Sequence, residues 1–121
     1  TDGASLTTAQ QFTAQQNVTM STLTYAATLN TNCDLSNMFY CSLAGNVTLA
    51  NPTNLKSGGV YVWIFKTAAT NIQILFGTKF KFAGGVAPTM LSSASGKLDK
   101  LTAIYNATDD VLMCGLDLGF A

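Results

Sequence analysis

Six consecutive residues, Val60-Tyr61-Val62-Trp63-Ile64-Phe65, constrain this chain more than any other feature. Each is β-branched or aromatic, the residue types that fit a pleated surface best. Side chains alternate across a strand, so Val60, Val62 and Ile64 share one face and Tyr61, Trp63 and Phe65 the other. A strand apolar on both faces belongs in the middle of a sheet with both sides covered, or against a partner. It is the longest apolar stretch in the chain and is far too short to cross a bilayer, so membrane insertion is not expected.

Shorter strand patterns surround it. Residues 18–29 read as one strand with a phase slip that a bulge would absorb: Val18 and Met20, Leu23 and Tyr25, then Ala27 and Leu29. Further strands are expected over 38–43, 47–49, 71–76, 79–82, 98–105 and 111–118, about eight in all. Turn chemistry separates them: Asn51-Pro52, where proline cannot donate to a ladder, and Ser57-Gly58-Gly59. No segment reads as a convincing helix, residues 88–96 offering at most one turn, and no internal repeat is visible. The expectation is all-β: a small antiparallel β-sandwich or jelly-roll-like domain over residues 18–121, behind a polar N-terminal arm at 1–17. Leu6 and Phe12 are the arm's only large apolar groups, placing partner docking on them.

Charge is scarce, at 10% of 121 residues against about 25% in ordinary soluble domains. All six cations are Lys and all six anions Asp, so the net charge is zero, with no Arg, Glu or His. Hydration falls to Thr, Ser, Asn and Gln. Without a basic cluster there is no electrostatic footprint for nucleic acid or an anionic membrane. The absence of His and Glu removes the commonest general bases, so Ser and Thr have no evident activator and no enzyme is expected. The polar start contains no targeting segment, and a leading Thr is compatible with a native start after loss of an initiator Met.

Cys33, Cys41 and Cys114 form neither a CxxC pair nor a set with His, so no metal site or cofactor is expected. They read as free thiols, Cys41 and Cys114 lying in apolar strand patterns; a Cys33–Cys41 bridge is the lesser alternative. Asp109 and Asp110 fit a hairpin loop at 106–110 better than a calcium site. Asp99, between Lys97 and Lys100, reads as a surface ion-pair member. The sequons at Asn17, Asn46 and Asn106 are within chance for so Asn- and Thr-rich a chain. Gly58-Gly59 and Gly84-Gly85 are turns, since neither opens a helix that could hold a phosphate.

Large apolar groups crowd the middle third. Val60, Tyr61, Val62, Trp63, Ile64, Phe65, Phe80 and Phe82 are assigned to the core or to an oligomer interface, because they exceed what one face of one small sheet holds.

Residues 45–120 resemble a β-domain that recurs in bacteriophage virion proteins, notably tail fibres and small head-decoration proteins. The resemblance lies in the order of pieces: Gly45-Asn46-Val47-Thr48-Leu49-Ala50-Asn51-Pro52, then Ser57-Gly58-Gly59-Val60-Tyr61-Val62-Trp63. Phe76-Gly77-Thr78-Lys79-Phe80-Lys81-Phe82 with Ala83-Gly84-Gly85-Val86-Ala87-Pro88-Thr89 comes next, and Asp99-Lys100-Leu101-Thr102-Ala103-Ile104-Tyr105-Asn106 closes the series. The resemblance implies a virion component, commonly a homotrimer and not an enzyme. The length then favours a capsid-decoration or head-fibre subunit on the particle surface, with the major capsid protein or another virion protein as partner. A tail-fibre receptor-binding tip that recognises host surface glycan or protein, through exposed aromatics such as Trp63 or Tyr105, is the alternative. A secreted carbohydrate-binding or adhesive β-module is third.

Overall fold

A computed structural model of the chain describes residues 17–120. The expectations for the arm, Leu6 and Phe12 included, fall outside the described residues. The described part is all-β: β1 Ser21–Thr22, β2 Thr28–Leu29, β3 Met38–Leu43, β4 Val47–Leu49, β5 Val60–Thr67, β6 Ile74–Phe76, β7 Phe80–Phe82, β8 Leu98–Asn106 and β9 Val111–Asp117. A single 3-10 turn, Ala83–Gly85, is the one helical element among the described residues.

These strands form two layers, a six-stranded sheet in the order β1-β3-β5-β8-β9-β7 and a three-stranded sheet in the order β2-β4-β6. The chain passes from one layer to the other at every step up to β7. Strands β1, β3 and β5 run parallel, as do β2, β4 and β6, so the first part winds as three coils around a common interior. Parallel neighbours need a long return path, usually a helix. Here each return path is a strand of the opposite layer. The expected sandwich is present, but antiparallel pairing among the named strands is confined to β5–β8 and β8–β9. The hairpin β8–β9 sits between β5 and β7, and β7 pairs parallel with β9.

The single bulged strand expected over 18–29 is two strands in two layers. The change of sheet falls between Thr22 and Thr28, beyond the phase slip, which lies between Met20 and Leu23: Ser21 pairs with Phe39 in the large sheet, and Thr28 pairs with Thr48 in the small one. Tyr25 fastens the crossing by donating its hydroxyl to the Asn46 carbonyl at 2.8 Å.

Asparagine side chains tie one coil to the next. Asn54 Nδ2 donates to Asn32 Oδ1 at 2.7 Å, Asn37 Nδ2 to the Val60 carbonyl at 3.0 Å, and the Gln73 N–H to Asn46 Oδ1 at 2.9 Å. Asn51 accepts from the Lys79 N–H at 2.8 Å and donates to Thr78 Oγ1 at 3.0 Å. These ties join residues 22 to 28 positions apart. Gly77 lies against the last of them, where a Cβ would stand 2.3 Å from Asn51 Oδ1, so no larger residue fits without moving the tie.

The interior holds the inward faces of both layers: Phe39, Trp63, Phe65, Leu101 and Leu112 from the large sheet meet Leu29, Val47, Leu49 and Ile74 from the small one, all buried. Each such side chain contributes about 1.5 to 3 kcal/mol of transfer free energy. Trp63 is the centre of an aromatic column, stacked on Phe39 at 5.7 Å and edge-on to Phe80 at 5.6 Å, and Phe76 links Phe80 to Phe82 at 5.5 and 4.9 Å.

Asp99 is not the surface ion-pair member expected from its flanking lysines. It is 0% exposed and faces inward beside Phe65 in the pairing register. Alternation dictates this, since Asp99, Leu101 and Ala103 share the inner face of β8. Its carboxylate accepts from the Ser92 N–H at 2.8 Å, Ser92 Oγ at 2.5 Å and the Gly119 N–H at 2.9 Å, which replaces the hydration lost on burial.

Candidate association surface

The two sheets differ on their outer faces. On the small sheet the outward row is Thr28, Thr48 and Leu75, polar apart from one leucine. On the large sheet, strand alternation turns Met38 and Tyr40 of β3, Val60, Val62 and Ile64 of β5, and Ile104 and Met113 of the hairpin outward. Register brings them together. Val60, Ile104 and Met113 stand side by side across three strands, and the next row is Met38, Val62, Thr102 and Gly115. Val60, Ile104 and Met113 are 47%, 49% and 59% exposed, so this apolar band faces outward rather than filling the core.

Each of the eight residues assigned to core or interface from the sequence now has a place. Tyr61, Trp63, Phe65 and Phe80 are core. Val60, Val62 and Ile64 lie on the outer face, while Phe82 is half-buried against Phe76. Met38, Tyr40, Ile104 and Met113 join them without having been singled out. For Ile104 the signal existed, because it is out of phase with Leu101 and Ala103; for Met38 and Tyr40 only the parallel register with β5 reveals it.

Charges frame the band. Lys81 stands beside Met113, and Lys100 lies between Ile64 and Asp117 in register. The exposed ion pairs sit elsewhere. Lys56 meets Asp34 at 2.7 Å, and Lys79 pairs with Asp110 in the loop that closes β8–β9. There Lys79 and the Tyr105 hydroxyl hold the Asp110 carboxyl below its ordinary range, and the same hydrogen bond raises the Tyr105 phenol. Asn106 Oδ1 accepts from the N–H groups of Thr108 and Asp109 at 3.0 and 3.3 Å, so the paired aspartates belong to an asparagine-nucleated turn.

Among the described residues no group of three Cys or Asp side chains is placed to hold a metal ion. Every buried side-chain polar atom there has a hydrogen-bond partner. The three cysteines are free thiols, Cys33 and Cys41 buried and Cys114 half-buried. Burial pushes Cys33 and Cys114 up to about 11, with nearby Lys56 pulling Cys33 back slightly. No helix among the described residues is long and apolar enough to cross a membrane. Comparison with protein families, curated proteins and solved structures finds no match.

Proposed function

We propose that this chain is a non-enzymatic structural subunit of a bacteriophage virion, an oligomeric capsid-decoration or head-fibre protein on the particle surface. The observation that supports it is the outer face of the large sheet, where Val60, Val62, Ile64, Ile104 and Met113 form one apolar band. Apolar area of this kind on a small domain marks a contact surface. Zero net charge lets copies of the chain approach without mutual repulsion. Gly115 adds to the case. It lies in the interior of β9, where glycine weakens a strand, yet a Cβ there would meet nothing within 4 Å. A mid-strand glycine with no internal need fits a place where another chain comes close. A closed homotrimer through this face would bury the band and leave the threonine-rich small sheet outward.

The receptor-tip reading requires aromatic side chains lining a groove. Trp63 is 0% exposed inside the core, and the Tyr105 hydroxyl is engaged by Asp110 at 2.5 Å, so neither favours it.

Mass spectrometry of gradient-purified particles from the lysate in which the chain is made tests the assignment. The chain is expected in constant ratio to the major capsid protein and on tailless heads. Its absence from particles would overturn the virion reading, and its presence on tails alone would overturn the capsid one.

A further inference from the structure

The chain does not leave the large sheet cleanly after β9. Had the ladder continued, Gly119 would lie opposite Leu98, two residues beyond the pairing of Lys100 with Asp117. Instead the Gly119 N–H turns to the buried Asp99 carboxylate at 2.9 Å. The Phe120 N–H then donates to the Leu98 carbonyl at 2.8 Å. Gly119 has φ +78°, a left-handed conformation that other residues rarely adopt, and this turn carries the Phe120 ring to Lys100, whose Nζ lies 5.2 Å from the ring centroid. Ile64, Leu98, Lys100 and Phe120 together line a shallow apolar slot. Ile64 belongs to the outward band of the large sheet.

We infer that Leu118-Gly119-Phe120 is a strap whose Phe120 ring covers the Ile64–Leu98 end of the outer face in the single chain and swings aside when that end is used as a contact. The base of the strap is held firmly by the Gly119 N–H on the buried Asp99 carboxylate and by the Phe120 N–H on the Leu98 carbonyl, whereas its ring has only one exposed cation–π contact, a weak attachment in water. Phe120 itself is 58% exposed, so its ring covers apolar surface without being locked in the core. Asp99 is the latch. The same carboxylate holds Ser92 and Gly119, which fixes the base of the strap while leaving its aromatic tip free to swing. The inference rests on the proposed association surface, whose Ile64 end the strap regulates.

The test is Phe120→Ala, which keeps both backbone hydrogen bonds. Fluorescence of an anionic naphthalene dye should rise about twofold over the parent chain, since the slot loses its cover. Self-association should begin at lower protein concentration, and thermal unfolding should move little. Unchanged dye fluorescence would overturn the strap, as would weaker self-association, because Phe120 would then be part of the contact. Dye binding reads the slot even in a chain that stays monomeric. Failure of the assembly reading shows instead as a monomeric parent chain, so the two failures are distinguishable.

Discussion

At Trp63 one side chain carries two kinds of interaction. Its ring stacks on Phe39, and its Nε1 donates to Thr31 Oγ1 at 3.0 Å, a threonine 2% exposed. Removing the ring opens a cavity and strands a buried hydroxyl. Trp63→Ala should therefore cost about 3 to 5 kcal/mol, the range for large aromatic truncations in cores. Urea unfolding followed by circular dichroism checks this, and a midpoint close to the parent's would show that the column is not the centre of the core. The thiols make a second prediction at this scale. Burial raises Cys33 and Cys114 from 9.0 to about 11, so in the alkaline range the folded state holds protons that the unfolded state releases. Their contribution to stability is complete below pH 9 and is lost as pH rises towards 11. Unfolding midpoints should fall across that window, and the fall should be smaller in a Cys33→Ala, Cys114→Ala chain. An identical alkaline slope in both chains would refute the assignment.

Among the elements, every strand of three residues or more is legible in the sequence, the short β4, β6 and β7 included, and the two-residue strands are not. The alternation at 60–65 places Tyr61, Trp63 and Phe65 opposite Val60, Val62 and Ile64, and β5 takes a central position between β3 and β8. The hairpin loop at 106–110 is equally clear from its Asn and Asp content. Asp99 is readable as inward from the same alternation that buries Leu101, but its flanking lysines point towards the surface. Strands β1 and β2 have two residues each, too short to show any period, so their split between layers leaves no trace in the pattern. The winding is hidden for a related reason. Successive coils differ in length, and what recurs is an asparagine hydrogen bond at 22 to 28 residues rather than a sequence motif. Asparagines that read as hydrating groups are partly the fasteners of the solenoid. The outer face is half visible: alternation finds the β5 residues, but Met38, Tyr40 and Met113 join them only through strand register.

For the whole molecule, the proposed assembly gives the two faces of β5 different tasks, the inner one folding and the outer one association. A charge on each face should then have separate consequences. Val62 is half-buried, lies between Met38 and Thr102, and points away from the core. An aspartate there can remain hydrated in the single chain but would be desolvated in a packed interface. Gly115→Val, in the same row, supplies a neutral variant that improves strand propensity while filling the space a neighbour would occupy. Sedimentation velocity of the parent, Val62→Asp and Gly115→Val chains over a range of concentrations, each with its circular dichroism spectrum, separates assembly from folding. The division of tasks predicts a discrete parent oligomer, a trimer under the arrangement proposed, and two monomeric variants with the parent's β spectrum. A parent chain that stays monomeric at every concentration, or variants that assemble as the parent does, would contradict it.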